Sequence, residues 1–510
     1  MLRDIVKNKL GNALILKNHE QASYQTLDLL SSQLAEQLLQ EGVTKNTVLP
    51  VFVDNSLNTI VFAIACWKVG AIYTPLNPDL PINVLQSMLA RLECDYVYTT
   101  NEMIKTPTAL GFKDKGEVVN GLGINMARSG QGLFSRIKSH KQIAVIIHTS
   151  GSTGTPKAAC WSEGSVISFF DSYNDTMQYN VNSIGINNGP FYFDIVFQDT
   201  FLALFYGAQV VLHDRRFIPS RFVALLNDKQ VTHMAIMSST LKTMTNPDGD
   251  VDLKHMRQIM AGGEVGNLQM FEQYERAGIT IYNGYGPTEN NSLSSRYQFD
   301  SSLTKDLIPI GVGFKNVSMV LLGDDGIIKD SQTSGQILLG GNQLMEGYIE
   351  NLEINRDLFI YLDGKCFYPT GDFGYIDERG QMVFEGRRDR RVKVNGNRFS
   401  LTTVYKALIG IDNISYAYVN TAGESENPFI VAAITVSDAF AEEDEKSVFS
   451  AIRAELRTKL ANFMLPKYLF LIESLPYKPS QKVDEKAIET NIGVAMNDGR
   501  LLTATSFIKI

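Results

Sequence analysis

Residues Thr149 to Lys157 read TSGSTGTPK, directly after the apolar run Ala144 to His148. Hydroxyl side chains, glycines and one lysine in this order offer backbone N–H groups, O–H donors and a cation, a set suited to a polyphosphate. The GxxxxGK[ST] spacing of a Walker A loop is not met. A Ser/Gly linker ending in a solvated lysine has the same composition, but linkers rarely follow a buried strand. A second locus is PFYFDIVFQD, Pro190 to Asp199, which sets Asp194 among aromatic and aliphatic residues. A carboxylate there is costly unless a cation pairs with it. The alternative is an aspartate that caps or turns a loop.

These residues need elements to position them. Val48–Val53 reads as a strand, with Pro50 at its start or on an unpaired edge. Apolar residues at helical spacing run from Asn58 to Val69 and close at Gly70. Strands are expected at 95–99, 143–148, 210–213, 233–237 and 280–283, with helices such as 268–277 between them. This is the α/β pattern. From about Gly311 short strands broken by Gly and Asp indicate a β-rich subdomain, 311–388. A boundary is expected at Asp389, giving an N-terminal domain 1–388 and a C-terminal domain 389–510 with strands at 414–419 and 429–436 and a helix at 445–460.

The chain has 510 residues, 44% hydrophobic and 20% charged, too apolar for a disordered polymer. A formal charge of −8 offers no general attraction to nucleic acid. No apolar run approaches the roughly 20 residues of a membrane span, and the first residues lack a continuous apolar signal core. Cys66, Cys94, Cys160 and Cys366 are far apart and form no CxxC pair. A cytoplasmic protein with reduced thiols is expected.

TSGSTGTPK, NGYGPTE at 283–289, YPTGD at 368–372, GRRDRRVKVNGNRF at 386–399 and PSQKVD at 479–484 occur in the order and spacing of the adenylate-forming enzymes. The chain resembles the amino-acid adenylation domains of nonribosomal peptide synthetases and the free-standing D-alanine:carrier-protein ligases over nearly its whole length. The resemblance implies a large multi-layer α/β N-terminal domain with a β-rich subdomain, and a small, mobile α+β C-terminal domain. It implies ATP and Mg2+, with Thr149, Ser150, Gly151, Ser152, Thr153, Gly154 and Lys157 as the phosphate loop. Asn283 and Tyr285 match the adenine-binding residues, with Gly263 giving close backbone approach and Gly286 and Thr288 completing the motif. Glu289 matches the magnesium-associated carboxylate, Asp372 the ribose-binding aspartate and Arg387 its support. Asp389 matches the hinge, Gly396 the residue beside the pantetheine arm, and Lys482 the catalytic lysine.

By the same resemblance Asp194 binds a substrate ammonium, and Ile195, Gln198, Ile236, Met260, Gly262, Gly284, Ser292 and Leu293 line the side-chain pocket. None of the latter is charged, so a neutral amino acid of small to medium size is expected, with Gly262 and Gly284 leaving room and Met260 and Leu293 limiting it. The chain departs from the family pattern at PKAA, at Gln336, at Ser400, Thr403 and Tyr405, and at Ser480–Gln481, where Asn-Gly usually precedes the lysine. The expected reaction is activation of an amino acid as its adenylate and transfer to a phosphopantetheine thiol. No carrier motif follows residue 484, so the phosphopantetheinylated carrier protein is expected in trans. The rivals are an acyl- or aryl-CoA ligase and a non-catalytic binding protein on the same fold.

Overall fold

Leu57–Val69 is apolar nearly all the way round, with every residue from Thr59 to Trp67 buried, so this helix must have protein on all sides. Ser56 caps its first turn by accepting from the Thr59 N–H, and Gly70 ends it in the left-handed region at φ 73°. The computed structural model describes residues 1–509 except 17–19, 100–104, 119–122, 128–136, 138, 150–155, 214–216, 246–249, 305–306, 350–357, 388–390, 395–396, 412–413, 424–427, 437–444, 473, 478–482 and 498–507.

Contacts divide the chain into two units, one of 1–322, 338–370 and 378–382, the other of 323–337, 371–377 and 383–510. Two large mixed sheets build the first. One has the strand order Val312–Gly313, Ser295–Gln298, Thr280–Tyr285, Gln258–Gly262, His233–Met237, Ile184–Asn187, Gln209–Leu212, Asn12–Ile15, Gln21–Ser23. The other runs Gly347–Tyr348, Lys157–Ser162, Ile143–Thr149, Ile72–Leu76, Val48–Phe52, Tyr96–Thr99, Gly123–Ala127, Lys113–Val118. The largest apolar cluster joins side chains of both sheets to the helices Tyr24–Gln40, Leu57–Val69 and Glu163–Met177, and separate clusters back each sheet on its other face. Helices thus lie between and outside two sheets.

Pro50 corrects its expectation. It pairs with Thr74 inside a strand that has neighbours on both sides. Among the described residues, Val51↔Tyr98 is the one pairing that joins that strand to Tyr96–Thr99.

The second unit carries a four-stranded sheet, Ile414–Ala422, Phe429–Val436, Tyr468–Leu471 and Ile508–Lys509. Leu401–Ile409 and Glu445–Lys459 pack one face of it, and Glu485–Asn497 packs the other. This is an α+β unit. The β-rich stretch expected from Gly311 is present as Val317–Gly323, Gly326–Ile328, Gly335–Gly341, Ile360–Leu362, Lys365–Ile376 and Met382–Arg387. No helix among the described residues is long and apolar enough to cross a membrane.

Candidate active site

Ile143–Thr149 and Lys157–Ser162 pair antiparallel with Thr149 opposite Lys157. Ser150, Gly151, Ser152, Thr153 and Gly154 lie outside the described residues. Arg91 Nη1 donates to the Pro156 carbonyl at 3.1 Å, tying down the end of the connection. Beside it, His148 is half-buried, with its Nδ1 shielded from solvent and unbonded among the described residues. Burial, then the Arg91 charge, pushes its imidazole down to about 4, so it is neutral at pH 7.

Lys157 is exposed, and its Nζ stands 5.1 Å from the centroid of the Tyr348 ring. Pairing of Gly347–Tyr348 with Cys160 and Ala159 puts the ring there. The Tyr348 hydroxyl donates to Glu289 Oε1. Burial raises this phenol's pKa, with Glu289 and Tyr368 adding to the effect, so it stays protonated. Glu289 sits in the short 3-10 turn Thr288–Asn290. That turn is fixed by Met345 N–H donating to the Glu289 carbonyl at 3.0 Å and Trp161 Nε1 donating to the Thr288 carbonyl at 3.0 Å. Tyr348 was not expected, because a tyrosine in MEGYIE reads as an ordinary strand residue.

The strand expected to end at Asn283 continues to Tyr285, flanked by Gln258–Gly262 and Ser295–Gln298. Strand alternation puts Asn283 and Tyr285 on one face and Gly284 on the other. Asn283 is buried and donates from Nδ2 to the Pro309 carbonyl at 2.8 Å. A β-carbon at Gly286 would come within 2.6 Å of Leu293 Cα and Ser294 N, so this position requires glycine. Gly263 has φ +79°, a left-handed conformation that favours glycine, with open space where a β-carbon would stand.

Met260, Gly284 and Leu293 do come together. A β-carbon at Gly284 would lie 2.8 Å from both Leu293 Cδ1 and Met260 Sδ, and one at Gly262 would lie 2.8 Å from the Gly284 carbonyl oxygen. Met260 and Leu293 thus close over Gly284, the two residues expected to limit the space there. Ile236 is a second correction. It pairs with Ala261 and packs with Met234, Ile259 and Ile281, whereas Met260 belongs to the cluster on the opposite face. The register instead puts Ala235 opposite Met260 and Met237 opposite Gly262, on the pocket side. No sequence signal identifies them, because MAIM is apolar on both faces of its strand.

Gln198 and Ser292 are buried and joined, Nε2 donating to Oγ at 2.6 Å, while Tyr173 OH donates to Gln198 Oε1 at 3.3 Å. Asn291 and Ser292 hold φ of 51° and 72°, a left-handed pair that costs energy for non-glycine residues. Asp194 is half-buried in the turn before the wide helical turn Phe197–Phe201. Its carbonyl accepts from Phe197 N–H at 3.0 Å, and its carboxylate accepts from Thr288 Oγ1. The carboxylate does not cap that turn, and no ion pair to it occurs among the described residues. Ile195 packs its Cγ2 against Gly189, 2.1 Å from where a β-carbon would stand.

Asp199 was missed, although it is the second carboxylate of the same apolar run. It is fully buried, and burial pushes its carboxyl up to about 7 against hydrogen bonds that pull it down. Thr200 Oγ1 donates to it at 2.6 Å and Asn188 N–H at 2.9 Å. It thereby anchors the loop on which Ile195 rests.

In the second unit Arg387 Nε donates to Asp372 Oδ1 at 3.2 Å, from an exposed guanidinium to a buried carboxylate. The structure thus pairs the two residues expected to act together. Asp389, Gly396 and Lys482 lie outside the described residues.

The sequence profile of the AMP-binding enzymes matches residues 4–349. Gramicidin S synthase 2 of Brevibacillus brevis is 25% identical over 498 residues, covering 96% of this chain; the chain spans only 11% of that protein's length. A solved four-domain nonribosomal peptide synthetase bound to AMP and glycine superposes at a TM-score of 0.76 with 22% identity, over 95% of this chain and 36% of that one. The anthranilate CoA ligase AuaEII, solved with anthranoyl-AMP, superposes at 0.82 with 16% identity, over 97% and 98% of the two chains.

Proposed function

The chain belongs to the AMP-binding enzymes, and from that premise we propose that it activates an amino acid with ATP and passes it to the phosphopantetheine thiol of a carrier protein. A substrate carboxylate oxygen attacks the α-phosphorus, the bond to the β-phosphate oxygen breaks, and pyrophosphate leaves with the aminoacyl adenylate remaining. The thiol sulfur then takes the acyl carbon and AMP departs.

In this reading Thr149, Ser150, Gly151, Ser152, Thr153, Gly154 and Lys157 hold the phosphates. Asn283 and Tyr285 hold the adenine from one face of their strand, with Gly263, Gly286 and Thr288 shaping the approach, and Asp372 with Arg387 holds the ribose. Lys482 serves the phosphorus under attack, Asp389 is the hinge, and Gly396 faces the pantetheine arm. Glu289 fits Mg2+, which binds through one or two carboxylates plus substrate phosphates. Among the described residues no cluster of three metal-ligating side chains forms, which suits an ion that arrives with its nucleotide. When bound, Mg2+ would neutralise phosphate charge; Glu289 would hold it and Lys157 would pair with the phosphates.

The observation that carries the amino-acid reading is Asp194. A half-buried carboxylate in an aromatic segment, without a cationic partner among the described residues, is one hydroxyl away from the Thr288–Glu289 turn. An ammonium on it completes the missing pair while the same substrate's carboxylate reaches toward the phosphates. Ile195, Gln198, Met260, Gly262, Gly284, Ser292 and Leu293, with Met237 in place of Ile236, then face the side chain. The filled space over Gly284 favours the small end of the neutral amino acids. ATP–pyrophosphate exchange across the amino acids tests this: activation of small neutral ones is expected, and preferred activation of Asp, Glu, Lys or Arg overturns the pocket assignment.

A further inference from the structure

Lys157 and Glu289 carry opposite charges and both touch Tyr348, yet no ion pair joins them. A lysine and a glutamate free to approach one another would neutralise one another. The phenol prevents this by taking one group on each of its two chemical surfaces. Its ring face receives the Lys157 ammonium at 5.1 Å, and its hydroxyl donates to Glu289 Oε1, leaving Oε2 with no hydrogen bond among the described residues. A carboxylate bonded at one oxygen is held in one rotamer with the other oxygen open, as metal-binding carboxylates usually are. A metal–triphosphate carries both signs of charge and needs a free cation and a free carboxylate side by side.

We propose that Tyr348 is a positioning residue for metal–nucleotide binding, which fixes Glu289 toward the divalent cation and keeps Lys157 available to the phosphates. The inference rests on the adenylation reading of this site. It also explains why Gly347–Tyr348, a strand of only two residues, is paired onto the edge beside the phosphate loop.

The test uses Tyr348→Phe, which keeps the ring and the strand and removes only the hydroxyl, and Tyr348→Leu, which removes both surfaces. Mn2+ binding is followed by the electron-spin signal of the free ion in the presence of a non-hydrolysable ATP analogue. Affinity for the same analogue is measured separately in EDTA. Tyr348→Phe is expected to weaken Mn2+ about tenfold, with metal-free nucleotide affinity within about twofold of wild type. Tyr348→Leu is expected to lose in addition about twofold to fivefold of metal-free affinity as Lys157 is released. Unchanged Mn2+ affinity in Tyr348→Phe, at an unchanged melting temperature, overturns the inference alone. Equal losses with and without metal also overturn it, because they mark a purely structural tyrosine. Failure of the wild type to bind the metal–nucleotide overturns the adenylation reading, and this inference with it.

Discussion

Replacing Asp194 by Ala removes the carboxylate proposed to meet a substrate ammonium; the other acid of the segment, Asp199, is fully buried and bonded to Thr200 and Asn188. Leaving a buried charge without its partner costs roughly 3 to 5 kcal/mol, so pyrophosphate exchange should fall at least about a hundredfold. Nucleotide affinity should be nearly unchanged, because the phosphate-side residues are untouched, and calorimetry with ATP alone checks it. Asp194 was legible in the sequence since a lone acid in FYFDIVF conflicts with its neighbours. Tyr348 was not legible: a tyrosine suits a strand equally well whether or not its hydroxyl meets a carboxylate. Asp199 was hidden for a related reason, because its partners are the Asn188 backbone and the next residue, Thr200, and only folding makes such bonds visible.

At the scale of elements, Asp199 links loop geometry to pH. Its folded pKa of about 7 lies above the ordinary carboxylate value of 3.8, so the folded state binds the extra proton between those limits. Its contribution to stability is complete below about pH 4 and is lost as pH rises through 7. Asp199→Asn, which mimics the protonated acid, should therefore become progressively more stable relative to wild type between pH 4 and pH 8. Denaturant melts of both proteins across that range measure the difference. A difference that is flat with pH would show that Asp199 is not buried as a titrating acid. Strands and helices were legible where period and caps agreed: Leu57–Val69 ends at its glycine, and His233–Met237 has the expected bounds. Facing was less legible. Ile236 was misassigned because motif spacing counts residues along the strand, whereas the alternation that decides its face becomes apparent only with the register to Ala261. How closely Leu293 and Met260 approach Gly284 was not legible either, since they reach it from other segments.

For the whole molecule, α/β alternation, a β-rich stretch and a further strand–helix tail were legible from texture, the layering and the α+β class of the tail were implied by the family resemblance, and each is present. Motif order does not reveal which segments belong to which unit: 323–337 and 371–377 group with the tail by contact although they precede it in sequence. If the tail serves the two half-reactions in turn, Lys482 is required for adenylate formation and Gly396 for thiol transfer. Lys482→Ala should then cut exchange about a hundredfold or more while transfer from a pre-formed adenylate continues. Gly396→Trp should preserve exchange and block carrier loading. Rapid-quench measurement of both steps on both variants decides this, and equal slowing of the two steps in each variant would contradict alternation.

We propose that this member of the AMP-binding enzymes selects its acid through an amino group. Pyrophosphate exchange with wild-type protein, run in parallel on each neutral amino acid and on the carboxylic acid that lacks only its amino group, tests it most directly. Exchange is expected with one or a few small neutral amino acids, and at least about a hundredfold less with their deaminated counterparts. Comparable exchange with a deaminated acid would contradict it and favour a ligase for simple acyl or aryl acids.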